Sequence, residues 1–193
     1  MYQTNSRNAS LLSIGIILIV GSWILGFALG FPLKDLLAKP DHAFMLGQTN
    51  ETHYILIASF ILLGISFIIF SIERLQLKKK LTIGIIGILL SIAVFYIGYD
   101  SYYYGSEEKG FTYNPLTSLG AQHYAWSDIE LFEEIYTSVN GGSQERTSVI
   151  FHIKDGEKIE LSYYPPIFEN RRLIEAYILA AGGQSKVTIL DNN

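Results

Sequence analysis

The sequence predicts two unlike halves: a membrane α-helical N-terminal half with three transmembrane helices, and a small α+β C-terminal domain. Of the 193 residues 49% are hydrophobic, and the mean hydropathy is +0.27. Three long apolar runs lie before residue 100, and alternating strand patterns follow it. The charge balance also changes at this point, from +3 in residues 1–99 to −7 in residues 100–193. A change of this size marks a boundary between regions with different surroundings.

The apolar runs cover residues 11–31, 54–72 and 81–99, after an N-terminal tail at 1–10. Each run has 19 to 21 residues and no charged residue. At about 1.5 Å of rise per residue, this length matches a hydrocarbon core of roughly 30 Å. We therefore predict a multi-pass protein of the cell membrane that contacts the lipid bilayer. The first run is longer than the apolar region of a signal peptide, so we expect it to be retained.

Basic residues predict the orientation of the spans. The connection between the second and third runs contains Arg74 and the consecutive lysines at 78–80. Basic residues beside a span favour the cytoplasmic side of the membrane. The loop at 32–53 has only Lys34 and Lys39, spread over a longer segment. Three spans then place this loop and the C-terminal domain outside the cytoplasm.

Small residues inside the spans predict how the helices pack. Gly26 with Gly30, and Gly87 with Ser91, have the spacing that lets helix backbones approach closely. We expect these positions to pack the three helices against one another. The runs contain no Asp, Glu, His, Lys or Arg, which excludes a proton relay or ion-coupled carrier built by this chain alone. Their hydroxyl groups are expected to bond to carbonyls of their own helices: Ser13, Ser22, Ser59, Ser66, Ser71, Thr82 and Ser91.

Aromatic residues cluster at the end of the third run. Their apolar rings and polar hydroxyl groups suit the depth of the lipid headgroups. We interpret them as an interfacial belt: Phe95, Tyr96, Tyr99, Tyr102, Tyr103 and Tyr104.

Residues 100–193 are predicted to form the C-terminal domain, because strand patterns and turn signals alternate there. The predicted strands cover residues 111–114, 121–126, 129–139, 147–154 and 158–164, with a short terminal strand at 187–190. Asn140-Gly141-Gly142 and Asp155-Gly156 are reverse-turn signals. Residues 168–181 have apolar positions at helical spacing, and the pair Gly182-Gly183 ends that pattern.

These elements resemble the PH-like domains of bacterial membrane proteins. The resemblance covers roughly residues 105–182 and depends on three features: the W-S-D-I turn at 126–129, the D-G hairpin at 155–156, and one closing helix. It implies a bent antiparallel sheet, capped by a C-terminal helix, that follows a short set of transmembrane helices. Such domains often follow a two-helix hairpin and face the cytoplasm, whereas this chain has three spans and a basic loop that predicts an outward domain. The fold serves many kinds of binding and does not define a chemistry.

No residue pattern here is typical of catalytic, cofactor-binding or metal-binding chemistry, so we predict a protein that is not an enzyme and has no catalytic, cofactor-binding or metal-ligating residues. The chain has no cysteine, which excludes thiolate zinc sites and cysteine nucleophiles. Ser143–Arg146 has arginine where an S-x-x-K motif needs lysine. A balance of −7 in the C-terminal half argues against nucleic-acid binding. The histidines are scattered without metal-ligand spacing: His42, His53, His123 and His152.

The acidic residues of the C-terminal half are interpreted as solvated surface charge, because neighbouring strand residues point to opposite faces. They include the pairs Glu107-Glu108 and Glu133-Glu134, and the run Asp128-Ile129-Glu130. His152 is expected to have a structural role within its strand. Trp126 is expected to anchor the core. Arg171 and Arg172 are expected to form ion pairs with Glu169 or Glu175, and the alternative is that they bind a carboxylate or a lipid phosphate of an outside partner.

The sequence therefore predicts a non-enzymatic integral membrane protein that presents a PH-like interaction domain, with a protein as its partner. An alternative stays open, namely an accessory subunit of a multi-chain transporter or envelope complex. In that case the transmembrane helices themselves would be the interacting surface.

Overall fold

The computed structural model describes residues 6–116, 118, 120–139, 143–162 and 165–191. The chain divides into two compact units. A helical unit combines the chain up to Ala38 with Glu51–Ser101, and a sheet unit combines Lys39–Asn50 with the chain from Tyr102 onward. The sheet unit therefore includes part of the loop between the first two apolar runs, in addition to the expected domain at 100–193.

Four helices form the helical unit: α1 (Ser6–Leu29), α2 (Phe31–Ala38), α3 (Asn50–Ser71) and α4 (Leu77–Asp100). The prediction of three long apolar helices is confirmed. Within the described residues, three segments are long and apolar enough to cross a membrane: Ser6–Leu36, Glu51–Ser71 and Leu77–Asp100. The short helix α2 was not predicted. It follows α1 after a turn at Gly30, where Pro32 fits the first turn of a new helix because its missing N–H is not needed there.

Glycine and serine positions hold α1 against α3 and α3 against α4. A Cβ atom at Gly15 would lie 2.7 Å from the carbonyl oxygen of Gly64, and one at Gly26 would lie 2.8 Å from the side chain of Ile57. Ser91 Oγ donates a hydrogen bond of 2.8 Å to the carbonyl of Ser59. Only small residues allow backbones to approach this closely. The predicted packing among the chain's own helices is thus confirmed at Gly26 and Ser91.

Most of the span hydroxyls bond as predicted, to a carbonyl three or four residues earlier in their own helix. These donors are Ser13, Ser22, Ser59, Ser66 and Ser71. Ser91 differs, because its hydroxyl crosses to α3 instead.

Lys34 does not lie in a loop. It lies in α2 and is buried, and its Nζ donates to the carbonyl of Tyr99 and, at 3.3 Å, to that of Ser101. These carbonyls are at the C-terminal end of α4, where no following turn of the helix supplies N–H groups for them to accept from. The helix dipole also favours a cation at this end. Lys34 therefore ties α2 to the end of α4.

Sheet A of the sheet unit has four antiparallel strands in chain order: β1 (Ala43–Gly47), β2 (Tyr102–Ser106), β3 (Gly110–Asn114) and β4 (Gln122–Tyr124). The sequence predicted β3 and β4 but neither β1 nor β2. The interpretation of Tyr103 as part of an interfacial belt is wrong, whereas for Tyr102 and Tyr104, which are half-buried, it stays a prediction. These residues form β2, and Tyr103 is buried in the core. The strand β1 pairs directly with β2, from Ala43 opposite Ser106 to Gly47 opposite Tyr103.

Sheet B has the order β7-β6-β5-β8. Its strands are β5 (Ile129–Val139), β6 (Ser143–Ile153), β7 (Lys158–Ser162) and β8 (Gln184–Asp191). The Asp155-Gly156 turn joins β6 to β7 as predicted, with Gly156 at φ +96°. The Asn140-Gly141-Gly142 turn lies outside the described residues. A single bent antiparallel sheet was expected, but the unit has two sheets, and β8 runs parallel to β5.

The helix α5 (Pro165–Ala180) and both sheets enclose one hydrophobic core. Phe111 of sheet A stacks on Phe151 of sheet B, with ring centroids 4.5 Å apart. Ile167, Ile174 and Ile178 of α5 are fully buried in the same core. Their spacings of seven and four residues give α5 one apolar stripe, which explains why this segment is helical and why it faces the sheets.

The interpretation of Trp126 as a core residue is confirmed. Trp126 lies in a short 3₁₀ helix at Trp126–Asp128 and is 8% exposed. Its indole N–H donates 3.0 Å to the carbonyl of Ser106, and its ring stacks on Tyr177 of α5 at 5.5 Å. The ring also stacks on Phe44 of β1 at 6.2 Å. One side chain therefore joins β1, β2 and α5.

Candidate functional site: a cleft beside the closing helix

A cleft of about 630 Å³ lies beside the N-terminal turns of α5. Near this end of sheet B, Tyr136 of β5 pairs with Arg146 of β6. The cleft is lined by both strands and by the start of the helix: Tyr136, Gln144, Arg146, Pro165, Phe168 and Glu169. Phe168 is more than half exposed although it is a large apolar residue. The cleft therefore has an apolar wall on the helix and a polar wall on the strands.

A buried carboxylate organises the strand side of this cleft. The side chain of Glu134 is only 6% exposed, and its Oε2 lies 3.7 Å from Arg146 Nε and 3.4 Å from Arg171 Nη1. Arg146 Nε also donates to the hydroxyl of Tyr136, and its guanidinium lies over the Tyr136 ring at 5.0 Å from the centroid. A buried carboxylate needs such charged partners to offset its desolvation. In return, Glu134 holds Arg146 in one orientation on the cleft wall.

The cleft offers contacts for an amphipathic group. The Phe168 ring can cover apolar surface, and the Arg146 guanidinium can donate hydrogen bonds to a carboxylate or a carbonyl. Gln144 and Glu169 add amide and carboxylate groups on the rim. The cleft is shallow and largely open to solvent, so these groups could contact the surface of a partner protein but would not enclose a small ligand.

The opposite face of the same strand carries a second polar cluster. Glu133 accepts hydrogen bonds from Thr188 Oγ1 at 2.5 Å and lies 2.8 Å from His152 Nε2 and 3.5 Å from Lys186 Nζ. The hydrogen bond from Thr188, followed by the contact with His152, holds the pKa of Glu133 below its usual value. The cluster joins β5 to β6 on one side and to β8 on the other, so its role is to fasten the sheet.

The interpretation of Glu133-Glu134 as solvated surface charge is therefore wrong. The two carboxylates do point to opposite faces, as alternation requires, but neither lacks basic partners. Glu133 contacts basic side chains of neighbouring strands, and Glu134 contacts one from β6 and one from α5. The expected pairing of Arg171 with Glu169 or Glu175 is also wrong, because Arg171 pairs with Glu134. These partners lie 12 to 53 residues away in the sequence, and the sheet register together with the packing of α5 brings them close.

The other candidate residues remain separate. Glu130 and the pair Glu107-Glu108 are exposed, and Asp128 Oδ2 accepts the N–H of Ala125 at 2.9 Å. Arg172 is exposed on α5. Each histidine has its own surroundings: His42 is exposed, His53 meets the Trp23 ring, His123 bonds to Thr112, and His152 contacts Glu133. Among the described residues no group of three or more acidic, histidine or cysteine side chains could hold a metal ion.

Sequence reasoning missed Tyr136, Gln144 and Phe168. A signal for Phe168 exists in the sequence, since it is off the apolar stripe formed by Ile167, Ile174 and Ile178. Tyr136 and Gln144 had no such signal, because they enter the cleft only through the pairing of β5 with β6.

Comparison with known proteins finds nothing similar to this chain: no protein-family model, no curated protein and no solved structure matches it.

Proposed function

We propose that this chain is a non-enzymatic integral membrane protein that holds a PH-like domain at the membrane surface, where its cleft binds another protein. The three long apolar helices cross the bilayer and anchor the chain. The sheet unit is the interacting part, and Phe168 and Arg146 are the residues that contact the partner. Strands followed by the closing helix α5 support the PH-like assignment, and β8 is an addition to that plan.

The observation that carries this proposal is the pairing of β1 with β2. The strand β1 lies between α2 and α3, and β2 follows α4 directly. Met45 of β1 is almost fully buried in the core of the sheet unit. The unit can therefore form only if both segments are on the same side of the bilayer. Three crossings satisfy this requirement, because α3 and α4 take the chain across the bilayer and back between β1 and β2.

The basic connection at 72–80 supports an outward orientation for the sheet unit. Arg74, Lys78 and Lys79 are exposed and Lys80 is half-buried, and all four lie between α3 and α4 or in the first turn of α4. Basic residues at this position retain the connection in the cytoplasm. The sheet unit is joined to the opposite ends of α3 and α4, so in this orientation it lies outside the cytoplasm.

Site-specific photo-crosslinking in intact membranes tests the binding role. A photoreactive phenylalanine analogue replaces Phe168 in the cleft or, as a matched control, Leu173, an exposed residue of α5 outside the cleft lining. We expect a discrete crosslinked protein from position 168 and none from position 173. Arg146→Gln should weaken that crosslink about tenfold, the effect of losing a charged hydrogen bond, whereas Arg172→Gln should not.

Equal crosslinks from both α5 positions, or none from position 168, would contradict the proposed site. The same analogue at Ile24, which is strongly exposed on α1, distinguishes the alternative. A crosslink to a protein from position 24 but not from 168 would favour an accessory subunit that interacts through its transmembrane helices.

A further inference from the structure

The two edges of sheet B are unlike each other. At one edge, β7 is short, and its exposed residues include the charged Lys158 and Glu160. At the other edge, β8 is eight residues long and contains no proline. Its apolar residues Val187, Ile189 and Leu190 are each about half exposed. Charged residues and short length protect sheet edges from pairing with other strands, and β8 lacks this protection over its central part.

The outer side of β8 is open in the described part of the chain, since β8 pairs there with β5 alone. An open edge presents unpaired N–H and C=O groups, and the chemistry that satisfies them is another β-strand. We propose that this strand is β8 of a second copy of the chain, antiparallel to the first about a two-fold axis at Thr188.

The sequence of β8 selects this register. A two-fold axis perpendicular to the sheet keeps each residue on its own face, so residues that face each other have both even or both odd numbers. The axis therefore lies between the two copies of one residue, which face each other across it. At Thr188 it sets Val187 opposite Ile189 and Lys186 opposite Leu190, whose apolar surface the lysine stem can cover.

Other registers are less favourable. An axis at Lys186 sets two lysines against each other, and an axis at Ile189 sets Val187 against Asp191. An axis at Val187 leaves Ile189 opposite Ser185 and Leu190 opposite Gln184. Like charges or mismatched pairs across strands are destabilising. The register at Thr188 pairs the exposed Val187 with the exposed Ile189 and sets no like charges opposite each other.

A second copy also closes the assembly. Two-fold pairing of identical edges is isologous, so it covers both β8 strands and leaves neither available for further growth. The two copies of sheet B then form one continuous sheet of eight strands, and the two α5 helices lie on the same face of it.

Cysteine scanning of the full-length protein in its membrane tests this register, because the native chain has no cysteine. Cα atoms directly opposite in an antiparallel pair are about 4.5–5.5 Å apart, which is within disulfide reach. Under mild oxidation Thr188→Cys should form a disulfide-linked dimer. Glu160→Cys, on the protected edge of the same sheet, is the matched control and should stay monomeric.

A second pair of variants avoids changing Thr188, whose hydroxyl donates to Glu133. Val187→Cys and Ile189→Cys should crosslink poorly alone, because each residue is offset from its own copy. Coexpressed, they should crosslink to each other. In the Thr188→Cys background, Val187→Glu with Ile189→Glu should lower the dimer at least about tenfold through opposed like charges. Val187→Lys with Ile189→Lys should lower the amount of disulfide-linked dimer in the same way. Coexpression of the two double variants should restore the dimer, because opposite charges then face each other.

Equal crosslinking at positions 188 and 160, or none at either 188 or the coexpressed 187 and 189 pair, would overturn the proposal. So would a crosslink from position 188 to a different protein, because the occupant of the edge would then be a foreign strand.

Discussion

The helical unit and the sheet unit bury opposite kinds of residue. In α1 the buried positions are Gly15, Ser22 and Gly26, whereas large apolar residues such as Val20 and Phe27 are exposed. In the sheet unit the fully buried residues are large and apolar, among them Phe111 and Phe132. This difference is the one expected if the helical unit lies in lipid, as proposed, and the sheet unit lies in water. In water, folding buries large apolar side chains. In lipid, burying such side chains brings no hydrophobic gain, and helices associate through close contacts between small residues.

The two tryptophans give the sharpest test of this comparison, because each unit contains one. Trp126 is 8% exposed in the sheet unit, and Trp23 is 61% exposed on α1. Trp126→Ala should cost about 3–5 kcal/mol, since it leaves a cavity and removes a buried hydrogen bond. Trp23→Ala should cost less than about 1 kcal/mol. Hydrogen exchange of the full chain in lipid nanodiscs reports each unit separately.

The expected result is exchange faster by about two to three orders of magnitude in β5 and β6 for Trp126→Ala alone. Unchanged protection of these strands would show that the core of the sheet unit does not depend on Trp126.

The helical unit should depend on side-chain size in the opposite way. There, a larger side chain at a helix contact should lower the stability. Gly15→Val places a branched side chain against the backbone of Gly64, and we expect a loss of about 1–3 kcal/mol from overpacking. Gly21→Val is the control in the same helix, because its Cβ would meet nothing closer than 4.0 Å. Thermal unfolding in mild detergent should separate the two variants. Equal midpoints would mean that α1 does not pack on α3 as described.

The smallest effect concerns the charge of Glu133 in the sheet unit. The pKa of Glu133 is lower in the folded protein than its unfolded value of about 4.3. Its stabilising effect is therefore complete above that value and is lost as the pH falls through the folded pKa. Glu133→Gln should cost about 1 kcal/mol at neutral pH and reduce the acid sensitivity of unfolding. Glu130→Gln, an exposed neighbour on β5, should leave the pH profile unchanged.

Local patterns predicted the elements that are stabilised locally. The strand β5 has the predicted bounds of Ile129–Val139, the D-G turn joins β6 to β7, and the three apolar runs are helices. The strands β1 and β2 could not be predicted in this way. Their pairing joins segments more than fifty residues apart, and the tyrosines of β2 fit a membrane interface equally well.

The candidate site was not predictable for the same reason. Glu134 meets Arg146 and Arg171 only after β5 pairs with β6 and α5 packs on the sheet. A sequence shows that adjacent strand carboxylates point to opposite faces, but the partners on each face depend on long-range register. Trp126 was predictable because a lone tryptophan at a turn between strands has few other roles.

The most direct test is the sidedness of three positions in intact cells. Single cysteines can replace Asp41 before β1, Lys79 in the first turn of α4, and Lys154 at the end of β6, all of which are exposed. A membrane-impermeant maleimide should label positions 41 and 154 from outside and reach position 79 only after permeabilisation. Labelling of positions 41 and 154 from opposite sides of the membrane would contradict the three crossings that leave β1 and β2 on one side. Protection of both positions from external label would mean that the orientation is the inverse of the one proposed.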